Sequence, residues 1–246
     1  MKVRTLAFVL LAITPPAFSA DAHWSYQGEH GPSHWSKLDS HFTECGIGHA
    51  QSPVDIRKTV KKSDLPDLTF QYNDVPLRLV NNGHTVQVNE DGGGSLTIGD
   101  HAYKLAQFHF HTPSEERVNG KPYDLVAHLV HKDEAGKLAV VAVLFKVGHQ
   151  NAALAAVLDN MPIAAGPEHT VAGMRFNVAQ LLPAQHGYYH FMGSLTTPPC
   201  SEGVSWYVLK TPVELSSAQL KQLRRLYNHN NRPVQPLNGR EVVEHI

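Results

Sequence analysis

The stretch Gln107 to Thr112 reads QFHFHT, with His109 and His111 one residue apart among aromatics. In a strand, side chains alternate between faces, so Gln107, His109 and His111 share one side, and Phe108 and Phe110 share the other. Two imidazoles on one pleated face stand about 7 Å apart along the strand, near enough to converge on one ion. The chemistry this suggests is that of zinc, which takes four ligands in a tetrahedron and, where it is catalytic, keeps one place for water. The pair alone is weak, because a chain with 17 histidines in 246 residues produces such pairs by chance. A third ligand is required.

The run AHLVH, Ala127 to His131, offers two histidines, and parity separates them. His128 shares a face with Val126 and Val130, whereas His131 points the other way. If this strand turns His128 toward His109 and His111, those three form the site. If it faces away, His131 takes that place. Parity alone leaves both arrangements open.

The elements that must position these residues are mostly strands. Leu77 to Val80, Thr85 to Asn89, Ser95 to Ile98, Tyr103 to His111, Leu125 to Val130, Leu138 to Val147, Tyr188 to Met192 and Ser205 to Leu209 are short, β-branched or aromatic runs bounded by Gly, Asn or Pro. LAVVAVLFKV, from Leu138 to Val147, is apolar on both faces and belongs at the centre of a sheet. Helices are expected at Asn151 to Asp159, and at Ala218 to Tyr227 behind an N-cap at Ser216 or Ser217. The glycines of Asp91 to Gly94 sit where a hairpin turn would. With no linker or composition break, one domain accounts for the chain.

At 42% hydrophobic and 17% charged, with a net charge of -1, the composition is that of an ordinary globular protein. No overall field recruits nucleic acid or an anionic membrane. The short basic run Arg57 to Lys62 reads as a solvated loop. At the N-terminus, Lys2 and Arg4 precede an apolar stretch from Leu6 to Ile13 and then small residues, the pattern of a secretory signal peptide. Residues 1–20 are assigned to it, with cleavage after Ala20 or after Ala22, and the folded domain to residues 23–246. No later segment approaches the ~20 apolar residues of a membrane span. Export places the chain in a periplasm or outside the cell. There, Cys45 and Cys200, the two cysteines of the chain, are expected to form one disulfide.

Six motifs then carry a resemblance: QFHFHTPSE (Gln107 to Glu115), AHLVH, NNGHTVQV (Asn81 to Val88), QSPVDI (Gln51 to Ile56), GSLTTPPCSEGVSWYVLK (Gly193 to Lys210) and NRPVQPLNGR (Asn231 to Arg240). Together, and in family order along nearly the whole mature chain, they give a sequence that resembles an α-class carbonic anhydrase of the secreted bacterial type. The resemblance implies a mainly β (α+β) single domain around a large, mostly antiparallel twisted sheet with short peripheral helices. It implies an enzyme that hydrates carbon dioxide reversibly to bicarbonate and a proton, through hydroxide on a zinc ion held by His109, His111 and His128. In such sites the bound water ionises near pH 7.

By the same resemblance, Thr196 accepts from the hydroxide while donating its single proton to Glu115. Val130, Val140, Leu195, Val204 and Trp206 line an apolar substrate pocket. The Thr196 N–H polarises the substrate and Thr197 contacts bicarbonate. His84 is the proton shuttle, with Tyr26, Asn82 and Gln87 holding the bridging waters. Gln107 accepts from the free ring N–H of His109, and the TTPPC cysteine pairs with the one upstream of QSPVD, here Cys200 with Cys45.

Two positions depart from the family pattern. The glutamate usual two residues before the third ligand is Val126, and the histidine usual after the gatekeeper glutamate is Glu116. These positions lie near one another in the family, which implies a coupled change in which Glu116 supplies the carboxylate that Val126 lacks. A related binding protein without turnover is the alternative reading, and relatives of that kind usually lose a zinc histidine. Esterase chemistry is a conceivable side activity of zinc hydroxide. The sequence carries no interface signature, so both a monomer and a homodimer are compatible with it.

Overall fold

The computed structural model describes residues 23–245, and the signal-peptide assignment lies outside them. Within them the expected strands form, most of them extended by up to three residues at their ends, with Val86–Asn89 one residue shorter than expected and Leu138–Val147 unchanged: Val75–Asn81, Val86–Asn89, Gly94–Ile98, His101–His111, Leu125–Lys132, Leu138–Val147, Tyr188–Ser194 and Glu202–Leu209. They join one large mixed sheet of 13 strands among the described residues. From one edge the order is His169–Phe176, Val75–Asn81, Val86–Asn89, His101–His111, Leu125–Lys132, Leu138–Val147, Glu202–Leu209, Tyr188–Ser194, Val243–His245, Val60–Lys62. Most neighbours are antiparallel. Leu138–Val147 runs parallel to Glu202–Leu209 and to Val213–Leu215, and Val243–His245 runs parallel to Val60–Lys62.

Leu138–Val147 is the central strand that its composition requires, flanked by Leu125–Lys132 and Glu202–Leu209. Its alternate residues feed two cores. Ala139, Val141, Val143 and Phe145 enter the larger cluster on one side of the sheet. Val140, Ala142 and Leu144 enter a smaller one on the other side with Val204 and Trp206. The two main helices cover the larger cluster with Leu154, Val157, Leu158, Leu220 and Leu223. Ala152–Leu158 is capped by Asn151, whose side chain accepts from Leu154 N. Ser217–Arg224 is capped by Ser216 in a capping box with Gln219.

Three expectations need correcting. The basic run is not all loop, because Val60–Lys62 forms an outermost strand whose two exposed residues leave no alternating pattern to read. Leu68–Tyr72, His169–Phe176, Val213–Leu215 and Val243–His245 are likewise strands beyond those expected: the last two have three residues each and His169–Phe176 is irregularly buried, whereas LTFQY alternates regularly and its signal was overlooked. Asp91 to Gly94 turns the chain but closes no hairpin. The strands on either side of it both pair with the long His101–His111 strand, one with each half. Gly94 is required there, since a Cβ would stand 2.0 Å from Gln71 O.

Glu90, just before that turn, is fully buried with neither carboxylate oxygen hydrogen-bonded. Burial pushes its pKa up to about 8, against the opposing pull of Arg78. A folded-state pKa above the unfolded value means that the native state binds this proton more tightly, so stability falls as pH rises from about 4.5 to about 8. Glu90→Gln should therefore gain Tm relative to the parent between pH 5 and pH 8. A Tm difference that does not change across that window would contradict the assignment.

Candidate metal centre

Strand register brings the third histidine to the first two. In the antiparallel pair, His128 lies opposite His109, Val126 opposite His111 and Val130 opposite Gln107. A register shift follows between Val130 and His131. His131 faces the other side of the sheet, buried, with Nε2 hydrogen-bonded to Tyr72 OH at 2.7 Å and Nδ1 to Ala139 O at 3.2 Å. Of the two arrangements left by parity, the chain adopts the one with His109, His111 and His128. One ring nitrogen from each lies within 4.8 Å of the others.

Each ring has its other nitrogen engaged. His109 Nδ1 bonds Gln107 Oε1 at 2.8 Å, His111 Nδ1 bonds Asn230 O at 2.6 Å, and His128 Nε2 faces the two oxygens of Glu116 at 3.1 and 3.2 Å. That leaves His109 Nε2, His111 Nε2 and His128 Nδ1 as acceptors turned inward, and His111 Nε2 is buried without a partner. Such oriented imidazoles suit a divalent metal that prefers nitrogen, zinc first among them. Burial and the neighbouring His128 hold His109 down to about 3 and His111 well below its usual value, so both rings are neutral, as ligands must be. Burial would lower His128 as well, but the carboxylates of Glu116 and Glu115 together outweigh it and raise the ring.

Glu116 lies against His128, while Val126 packs in the smaller apolar cluster. The loop carrying it is held by Ser114, whose hydroxyl donates to Glu116 O at 2.6 Å and accepts from Tyr123 N at 2.9 Å. Glu115, buried beside it, accepts from Arg232 N at 2.7 Å through Oε1. Its Oε2 lies 3.6 Å from His111 Nε2 and 3.8 Å from His128 Nδ1. Burial and the charge of Glu116 push Glu115 up to about 7, opposed by His128, the Thr196 hydroxyl and the Arg232 amide.

On the same face, Val130, Val140, Leu195, Val204 and Trp206 form one apolar wall, with the Trp206 ring 4.9 Å from that of His128. A cavity of about 120 Å³ opens over His109 and His111, lined also by Tyr26, Asn82, His84, Gln87, Gln107 and Thr197, while His128 and the residues of the apolar wall are not part of its lining. His84 stands at its rim on a turn built by NNGH. Asn82 Oδ1 accepts from His84 N and Thr85 N, and Gly83 takes φ 87, which favours glycine. Burial and the nearby His23 lower the His84 pKa.

Sequence reasoning missed three residues here. Trp24 stacks flat on His84 with ring centroids 3.6 Å apart. Asn230 ties His111 to the turn that carries His84, its amide also donating to His84 O at 3.1 Å. Arg232 reaches Glu115. The last two lie in NRPVQPLNGR or just before it, a run without periodicity, where the only available signal was a polar residue destined for burial.

The sequence profile of eukaryotic-type carbonic anhydrase matches residues 30–246. A carbonic anhydrase of Neisseria gonorrhoeae is 44% identical over 248 residues, covering 98% of this chain and 96% of its own. The α-carbonic anhydrase of Thermovibrio ammonificans, solved with the inhibitor sulfanilamide, superposes with a TM-score of 0.87 at 44% identity, over 91% of this chain and 100% of its own. Dioscorin, solved with ascorbate, superposes at 0.84 with 35% identity, over 91% and 99% of the two chains. Fold, buried histidine cluster and sequence together make this chain a member of the eukaryotic-type, or α, carbonic anhydrase family.

Proposed function

We propose that the protein is an exported zinc enzyme that interconverts carbon dioxide and bicarbonate, with His109, His111 and His128 as the ligands. The observation that carries this is the convergence of three buried imidazole nitrogens, each with its ring pinned from behind, next to a threonine hydroxyl and a buried carboxylate. Bound there, zinc lowers the pKa of coordinated water to near neutrality and so supplies a nucleophile.

The rest is the work of this chain's own groups. A threonine hydroxyl has one proton. Donated by Thr196 to Glu115, it leaves Thr196 an acceptor toward the attacking oxygen, whose lone pair then points at carbon. Carbon dioxide is apolar, and Val130, Val140, Leu195, Val204 and Trp206 give it a wall that does not compete with water-like contacts. The Thr196 N–H polarises it, and Thr197 holds the bicarbonate. His84 moves the released proton to buffer along waters held by Tyr26, Asn82 and Gln87, an imidazole being suited to exchange near neutral pH. The Cys45–Cys200 bridge fits the oxidising compartment to which a leader peptide would deliver the chain.

Stopped-flow carbon dioxide hydration from about pH 6 to pH 9, with zinc measured on the same sample, tests the reading. Activity that rises with pH at one zinc per chain is expected. Full zinc occupancy without turnover would instead favour a binding role without catalysis. Glu116 gives a finer test. Glu116→Ala should speed zinc dissociation by about 10 to 100-fold, the usual effect of removing a partner that orients a ligand. Adding Val126→Glu, which restores a carboxylate on the ligand's own strand, should recover most of that loss. If Glu116→Ala leaves zinc dissociation unchanged, the coupled exchange is refuted.

A further inference from the structure

We infer that Arg232 is a positioning residue for Glu115, and that it ties the aim of this carboxylate to both halves of the Cys45–Cys200 bridge. The inference rests on the roles given to Glu115 and Thr196 above.

Arg232 is 2% exposed, and its guanidinium spends its donors on three neutral oxygens. Nη1 donates to Gln51 Oε1 and to Ser52 O, both at 2.8 Å, and Nη2 donates to Cys45 O at 3.0 Å. The Trp35 ring closes one face, 5.6 Å from Cζ. Gln51 carries the link onward, because its Nε2 donates to Cys200 O at 2.9 Å. The two cysteine carbonyls are thus bridged by Arg232 and Gln51 as well as by the covalent bond. Meanwhile the main-chain N–H of Arg232 donates to Glu115 Oε1 at 2.7 Å.

Arg232 lies in the irregular run 228–240, where no sheet ladder locates the backbone. His229 N bonds Thr112 O and Gln235 N bonds Pro53 O. Between them Asn230 anchors the chain two residues before Arg232, through His111 Nδ1, Thr112 N, His84 O and Phe110 O, and the Arg232 side chain anchors it at the amide itself. Asn230 sets where the segment runs, and the guanidinium contacts fix the amide that meets Glu115 Oε1. The far end of the bridge meets the same pair. Cys200 sits at φ 60, a left-handed conformation that a non-glycine residue keeps only where its surroundings enforce it. Its N–H bonds Thr197 O at 2.8 Å, one residue from Thr196. Both cysteines therefore brace the two partners, Glu115 from one side and Thr196 from the other.

The test is a double-mutant cycle. Gln51→Ala and Arg232→Lys are made in the parent and in a Thr196→Ala background, with kcat, zinc content and Tm measured on each. Arg232→Lys is the sharper change, and Gln51→Ala is the variant that keeps the buried charge should the other fold poorly. Each is expected to lower kcat about 10-fold or more at one zinc per chain, since small misplacements of an orienting group are costly. In the Thr196→Ala background the loss should vanish, because no hydroxyl remains for Glu115 to direct. Equal losses in both backgrounds, or an unchanged kcat, would overturn the proposal. A second measurement needs neither metal nor turnover. Amide exchange at Arg232 in the metal-free protein should accelerate in Glu115→Ala and, to a similar degree, in Gln51→Ala. Unchanged exchange in Gln51→Ala refutes the positioning role even if the parent proves to have no turnover.

Discussion

His128→Ala is expected to release zinc and abolish carbon dioxide hydration, whereas His131→Ala keeps the metal and loses stability instead. The two histidines are three residues apart, both buried and of the same type, yet they lie on opposite faces of one strand. His128 offers Nδ1 to the space shared with His109 and His111. Zinc site binding free energies are on the order of 10 kcal/mol in total, so loss of one of three protein ligands costs about 3 kcal/mol or more, a drop in affinity beyond about 100-fold. Removing His131 instead strands the Tyr72 hydroxyl, which bonds its Nε2, at a cost of about 1 to 3 kcal/mol in stability. Zinc titration and thermal unfolding of the two variants separate these outcomes. One retained zinc per chain in His128→Ala, or zinc loss from a well-folded His131→Ala, would reverse the assignment.

The second large effect concerns stability. The disulfide joins residues 155 apart in sequence, and such a closure removes many conformations from the unfolded chain. In the chain-entropy model the stabilisation is on the order of 4 to 5 kcal/mol, which is much of what an average domain possesses. Reduction, or replacement of Cys45 and Cys200 by alanine, should lower the urea midpoint accordingly with the fold retained. Comparison of the oxidised and alanine proteins by urea unfolding measures this. A difference below about 1 kcal/mol would mean that the reduced unfolded state keeps structure near these two segments.

Much of the site was legible before any fold was known, wherever its signal was local. Strand alternation by itself put Gln107, His109 and His111 on one face. The doubly apolar run Leu138–Val147 could only be a central strand, and the serines ahead of the last main helix marked its cap. These are properties of short stretches, decided by backbone geometry and by which faces must leave water. Other features depend on pieces far apart in sequence, and only the tertiary structure decided them. Parity left His128 and His131 equal until the pairing with His101–His111 set the register. Glu116 meets His128 because a loop folds back over the next strand, and the turn at Asp91 to Gly94 turned out to join two strands that share a neighbour instead of each other. Asn230 and Arg232 lie in a segment with neither helical nor strand periodicity. A buried polar side chain there has no pattern to announce it. Its role exists only where the groups that satisfy its hydrogen bonds, over 100 residues away in sequence, are packed against it.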